Sequence, residues 1–429
     1  MSPRFLGAPF TAAALVACNG MSTGVAPAPP PMRVASAASR QQASVGTIEV
    51  LWTFTNGTDG ADPLGGVIAD AEGNLYGSAS SGAHDDFDGT VFELTPSGTG
   101  YHERTLVRFK GPDGDSPSGS LVMDAGGQLF GTTVWGGRYK YGTAFSVTTQ
   151  GRIQQRVLWS FGGSSSDGAV PDSGLAIDAH RALYGVTEVG GTLGYGTVFK
   201  LTPAGREYRE STIWNFGAGF DGKYPDGRLT LGPRGVIYGT AGGGGNGCGH
   251  GCGIVFELIP AKSGFSEKIL WNFRGDPSDG SGPGSGLSFD SVGDIYGTTY
   301  FGGATSCADG YGCGTIFKLT PSSAAYTEKV VWNFGKGSDG DYPLSSVLIG
   351  PHGKLFGATQ QGGTHLGGIL YELARKRRGY SERILWNFDR GPYGYDPEGN
   401  LIMDGEHRIY GTAYAGGSTG DGTVFRFTL

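Results

Sequence analysis

Charge is scarce in this sequence: Asp, Glu, Lys and Arg make up 17% of its 429 residues, with acidic groups outnumbering basic ones 39 to 32. A chain of net charge −7 lacks the cationic footprint with which nucleic-acid binders displace phosphate counterions. The one basic run, Arg375-Lys376-Arg377-Arg378, lies between two strand patterns. It reads as a solvated hairpin turn, with a lipid-headgroup or polyanion contact as the alternative. No stretch sustains a capped helical period, which argues against a helical fold. Beyond the N-terminus no segment is apolar enough to span a bilayer. H-E-x-x-H and Walker patterns are missing, so the chemistries they support have no foothold. Glycine runs follow strands but open no helix, and a phosphate cradle needs that helix N-terminus.

What the chain has in quantity is glycine, 82 residues, with 22 Pro, 20 Tyr, 23 Phe and 7 Trp. So much Gly and Pro without a period usually marks disorder. So many aromatics do not suit a solvated polymer. The two together predict many short strands, tight loops and a real core.

A repeat organises them. Tyr/Phe-Gly pairs begin at Tyr76, Phe130, Tyr184, Tyr238, Tyr296, Phe356 and Tyr410, spaced 54, 54, 54, 58, 60 and 54 residues apart. Around each pair stand short β-branched or aromatic segments bounded by turn residues, in the third copy "SGLAID", "ALYGVT", "GTVFKLTP" and "REYRESTIWNF". Four strands per unit and seven units predict an all-β, seven-bladed β-propeller. The chain supplies seven A, B and C segments but only six D segments after them, and stops after the last C, "GTVFRFTL". The missing D strand stands at the other end as "IEVLWTF", so the N-terminal strand is expected to complete the last blade and remove its open edge.

The unit "DG-x-x-P … LYGTT … GG … GTVFKLTP … LWNF" resembles the tandem repeat of GloVer-type secreted bacterial proteins, a choice-of-anchor family, over residues 48–429. The resemblance implies architecture and an exported location, and no catalytic residues. Residues 1–18 have the shape of an export signal, and Leu15-Val16-Ala17-Cys18 resembles a lipobox, with Cys18 as the lipidated residue and an ordinary signal peptide as the alternative. Residues 19–47, rich in Ala, Pro and Ser, read as a flexible tether. The expected location is the bacterial cell envelope.

Repetition separates packing from function. Trp52, Trp159, Trp214, Trp271, Trp332 and Trp386 share one D-strand register, with Arg108 read as standing there in the remaining strand, and so are expected to pack between blades. Six units carry Asp-Gly before strand A: Asp59, Asp113, Asp167, Asp221, Asp279 and Asp339; the seventh has Tyr393. Turn chemistry explains them. Bound Ca²⁺, helped by Asp62, Asp115, Asp341 and Asp396, is the alternative, and no other cofactor is expected.

Function is expected on the face carrying the B-to-C loops, where a rigid scaffold varies what it displays. Trp135 is the one tryptophan outside the packing register, and with Arg138 and Tyr139 it suits stacking on a sugar ring or an extended peptide, or caps its blade. Glu188, Tyr300 and His365 stand on other loops, and Arg228 replaces a small residue in strand A, where it would bind a carboxylate or pair with a loop aspartate. Two loops are longer than the rest, and only these hold cysteines: Cys248 and Cys252 around His250, and Cys307 and Cys313. Local disulfides are the simplest pairing in an oxidising compartment, with pairing between the loops or a zinc site as alternatives. The reading favours a monomeric binding or scaffold module for a glycan or an envelope protein, touching the membrane through lipid alone. A polysaccharide lyase or glycoside hydrolase is the alternative.

Overall fold

The computed structural model describes residues 46–82, 88–98, 100–249, 251–303, 307, 310–323 and 325–429. Cys18, most of the tether and His250 lie outside the described residues. Seven four-stranded antiparallel sheets succeed one another along the chain. With strands lettered A to D from the axis outward, blade 3 comprises Ala176–Ile177, Leu183–Thr187, Thr197–Ala204 and Glu207–Asn215. Blade 7 takes strands A to C from Ile402–Met403, Arg408–Ala413 and Thr423–Thr428, and strand D from Thr47–Thr53. Thr47 pairs with Thr428 and Thr53 with Thr423, so the ring closes as the count of segments predicts. Among the described residues, no helix is long and apolar enough to cross a membrane.

The Tyr-Gly repeat has a steric cause. Gly185 of strand B pairs with Phe199 of strand C, and a Cβ on Gly185 would stand 2.5 Å from the phenyl ring. The missing side chain lets that ring lie over the sheet, where it meets Phe161 from strand D of blade 2, centroids 4.8 Å apart. Equivalent pairs fill the other seams: Phe54–Phe92, Phe109–Phe145, Phe216–Phe256, Phe273–Phe317, Phe334–Tyr371 and Phe388–Phe425. Each such pair contributes roughly 0.5–1.5 kcal/mol beyond the area it buries. Phe54 carries the series across the closure.

Strand D has a one-residue bulge in every blade. In blade 3 it leaves Val198 opposite Trp214 and Phe199 opposite Thr212. The residue in that register in blade 1 is Val107, opposite Val91. Arg108 is therefore one place off the tryptophan register; it pairs with Thr90, and its Nε donates to the Thr58 carbonyl.

The indole N–H groups reach across seams to the Asp-Gly turns, Trp52 to Asp59 at 3.3 Å, Trp271 to Asp279 at 3.4 Å and Trp332 to Asp339 at 3.2 Å. The same carboxylates accept backbone N–H groups, from Thr55 and Gly57 at Asp59 and from Arg274 and Gly280 at Asp279, which is turn chemistry. Each aspartate also faces a glutamate from its own strand D: Asp59 and Glu103, Asp167 and Glu210, Asp221 and Glu267, Asp279 and Glu328, Asp339 and Glu382. Two carboxyls in one seam do not readily ionise together. Burial first, and then the aspartate charge, push Glu210 and Glu267 up to about 7 and Glu328 up to about 8, and raise Glu103 and Glu382. Where the pair is lost, the glutamate is gone: Gln155 donates to the Asp113 carbonyl at 3.2 Å, and Ile48 takes the register in the blade that has Tyr393.

Candidate functional site at the channel mouth

The D-to-A and B-to-C connections do share one face. Gly168–Ala169 pairs with Val189–Gly190 in blade 3, and Asp341 with Gln361 in blade 6. On this face the residue before each repeated proline has a left-handed φ of 55 to 66°: Asp62, Ser116, Val170, Tyr224, Gly282, Tyr342 and Asp396. That backbone costs a non-glycine residue roughly 1–3 kcal/mol and is least natural for β-branched Val170. Two hydrogen bonds hold it in place. The Val170 N–H donates to the Tyr141 carbonyl in the loop of blade 2, and the Val170 carbonyl accepts from Glu188 in its own loop, both at 2.9 Å. Every blade is fastened to its neighbour in this way, and the residue after the proline is delivered to the axis.

Those seven residues are Leu64, Ser118, Asp172, Asp226, Gly284, Leu344 and Glu398. Three are carboxylates, joined by Glu188 from the blade 3 loop. Burial, and then the charges of Asp172 and Glu188, raise the Asp226 pKa. Burial raises Asp172 too, against a lowering hydrogen bond from Ser118. Glu188 is raised by burial and by Asp172, and Glu398 is pushed up to about 7, chiefly by burial, with Asp396 and Asp172 adding to it. The Gln360 amide donates to Glu398 at 2.7 Å and its carbonyl accepts from the Tyr300 hydroxyl at 3.2 Å. The Tyr300 ring stacks on Tyr342, centroids 4.7 Å apart and 18° from parallel. Tyr414 joins from blade 7, its hydroxyl pushed up to about 12 by burial and by Asp62, Glu398 and Asp396.

Deeper along the axis the A strands crowd together. A Cβ on Gly66 would stand 2.0 Å from the Asn400 carbonyl oxygen, and Asn400 itself bonds Ser346 of blade 6 and Ser120 of blade 2. Arg228 sits at this level and donates through Nε to the Leu175 carbonyl at 3.0 Å, a backbone partner rather than a loop aspartate.

The residues singled out in the sequence therefore separate. Glu188, Tyr300 and Arg228 come to the channel. Trp135 is 44% exposed on its loop, and Arg138 lies over the Tyr139 ring, 5.4 Å from its centroid, toward the outer wall between blades 2 and 3. His365 is exposed on the blade 6 loop. Asp172, Asp226 and Glu398 were not singled out. Their signal is a position that varies between copies while the proline before it does not.

Both extended loops are stapled locally, Cys248 to Cys252 and Cys307 to Cys313. Among the described residues the one group with metal-ligand spacing is Cys307, Cys313 and Asp341, and the disulfide uses both thiols. Closing such short loops stabilises by about 2 kcal/mol each in the chain-entropy model. Reduction should release four thiols from these cysteines and lower the melting temperature, which a thiol titration beside a thermal scan measures; an unchanged melting curve would contradict the staple.

A family description, the Gloeobacter/Verrucomicrobia repeat, matches residues 19–250, 104–311 and 305–429. No curated protein matches the chain. Among solved structures, a protein from Lactobacillus plantarum superposes with a TM-score of 0.50 at 15% identity, covering 86% of this chain and 88% of its own. A putative 6-phosphogluconolactonase from Bacteroides uniformis gives 0.46 at 12% identity, covering 74% and 82%. A putative oxidoreductase (glucose dehydrogenase) from Thermus thermophilus gives 0.41 at 12%, covering 89% and 99%. At such identities the likeness is one of fold.

Proposed function

The chain belongs to the Gloeobacter/Verrucomicrobia repeat family, and we propose that it is an exported binding module that takes up a glycan at the mouth of its central channel. One observation carries this reading: unlike residues gather at like positions there. A repeat that had only to fold would keep one residue after each proline, as it keeps glycine opposite phenylalanine. Asp172 adds to the raised pKa of Asp226, Glu188 and Glu398, so carboxyls crowd this mouth. Sugar hydroxyls would give them donors, and the Tyr300–Tyr342 stack offers a ring face. The two disulfides fit an oxidising, exported setting, and a lipid on Cys18 would hold the module at the envelope.

A glycan array and a polysaccharide-degradation screen on the mature chain test this. Saturable binding without turnover is expected, weakened about tenfold or more by Asp226→Asn or Tyr300→Ala. A polysaccharide-active enzyme is the second reading, favoured by a carboxyl held protonated, Asp226, beside others. New reducing ends or unsaturated products would decide for it. Neither binding nor turnover on any glycan would sink both.

A further inference from the structure

We propose that the end of the propeller opposite the channel mouth docks on an anionic lipid surface, holding phosphate-bearing headgroups with the hairpin Arg375-Lys376-Arg377-Arg378. The hairpin joins strand C of blade 6, Ile369–Arg375, to its strand D, Tyr380–Asn387. The Lys376 N–H donates to the Gly379 carbonyl at 2.9 Å, and all four cationic residues are exposed. Nothing in this turn requires charge. Blade 4 closes the same turn from Ala261 to Gly264 at 3.0 Å with one lysine, and blade 5 closes it from Ser322 to Ala325 at 2.9 Å with none. Four adjacent cations repel one another, and among the described residues no carboxylate pairs with any of them. Glu372, in the same strand C, is already held by Lys354 and Arg383 at 3.1 and 2.6 Å. The run is thus a departure from the repeat that works against the fold, and it points to a partner outside it.

The surroundings identify that partner as a surface. The chain preceding residue 46 enters the fold at this same end, at Thr47 in the neighbouring blade 7, paired with Thr428. Other turns here add exposed cations, Arg152, Arg206, Arg234 and Lys262. The exposed acids at the turn tips are Glu72, Glu207 and Glu406, and Glu406 is held by Arg408 at 2.9 Å. The aspartates that open the A-to-B turns are occupied by backbone N–H groups, as Asp290 is by those of Val292 and Asp294 at 3.0 and 2.9 Å. Val292 itself, at the turn tip of the neighbouring blade 5, is 76% exposed. An aliphatic side chain beside clustered cations suits the boundary between headgroups and acyl chains. The opposite face has the reverse sign, with Asp62, Glu188, Asp396 and Glu398 about the channel mouth. An anionic surface repels that face and attracts the hairpin, so docking turns the mouth away from the membrane, where a ligand can reach it.

Co-sedimentation with vesicles tests this, using equal parts of phosphatidylcholine and phosphatidylglycerol against phosphatidylcholine alone. The protein is the full chain carrying Cys18→Ser, so that no acyl chain is attached. It should prefer the anionic vesicles, and the preference should fall as salt is raised. Each Lys or Arg at such a surface raises partitioning roughly fivefold, so Arg375→Ser, Lys376→Ser, Arg377→Ser and Arg378→Ser together should weaken it about a hundredfold. This variant should melt no lower than the parent, since blade 5 builds the same turn from serine and alanine. Removing four cations from the other face, with Arg138→Ser, Lys140→Ser, Lys336→Ser and Arg390→Ser together, should leave vesicle binding unchanged, which separates the hairpin from net charge. The proposal is overturned if the parent shows no preference for anionic vesicles, if the hairpin variant binds them as the parent does, or if both variants lose binding equally. Retention on heparin with no binding to vesicles would assign the hairpin to a soluble polyanion and overturn it as well.

Discussion

Moving this protein from pH 5 to pH 9 should lower its melting temperature by roughly 5–10 °C. The cause is the set of Asp–Glu pairs in five of the seven seams. A glutamate with an ordinary value of 4.5 that is pushed up to about 7 or 8 in the fold binds its proton more tightly folded than unfolded. Its stabilising contribution is complete below the unfolded value and is lost as the pH rises through the folded one. For Glu210, Glu267 and Glu328 that window lies between about 4.5 and 8, and Glu103 and Glu382 act in the same direction. Partial exposure screens these charges, so each pair contributes roughly 1 kcal/mol rather than the full shift. Asp172, Asp226 and Glu398 at the channel mouth add to the same slope. Thermal scans at several pH values, repeated on the Glu210→Gln, Glu267→Gln, Glu328→Gln and Glu382→Gln combination, measure it. The combination should flatten the profile, and a parent melting curve that is level or rises from pH 5 to 9 would falsify the account.

Deleting residues 1–54 should cost more than any point change. Strand D of blade 7 and the residue that follows it bury Leu51 and Phe54, and Trp52 donates to Asp59. Each large apolar side chain contributes roughly 1.5–3 kcal/mol by burial. Deletion would also break the ladder to Thr423–Thr428 and the Phe54–Phe92 contact between blades 7 and 1. The sum approaches the whole stability of an ordinary domain, about 5–15 kcal/mol. The expected product is an aggregating chain with an open edge, or one whose melting point falls by about 15 °C or more. Deleting only residues 1–45 leaves the strand whole and should melt as the parent does. Matching curves for the two deletions would mean that closure does not hold the ring.

The strands, their number and their closure were legible because each is written seven times. A segment ambiguous by itself becomes plain when its aromatic, its glycine and its turn recur together. The glycine opposite Phe199 and the phenylalanine of the preceding strand D are one packing unit, repeated at every seam. The site was less legible, and for the same reason. Asp172 and Asp226 follow a repeated proline, where an aspartate looks like one more turn residue. Only the fold shows that this register lies at the axis, where seven chain-distant positions meet. The glutamates facing the Asp-Gly turns were hidden differently. They sit on the solvent-like face of an outermost strand, and only the Asp-Gly turn that leads into their own blade covers them. Arg108 was misplaced by one residue: in the other strands the tryptophan stands two before the phenylalanine, and two before Phe109 is Val107.

Thr47 begins its strand at the end of the blade away from the B-to-C loops, paired with Thr428. Tension that enters the domain there and leaves through something gripped at the opposite face runs along the strand axis. The rungs from Thr47 to Thr53 then share the load in shear instead of opening one after another. With a tether pulling at Thr47 and a ligand held at the opposite face, ring closure would also couple the two mechanically, and the strand that completes the last blade would bear the pull.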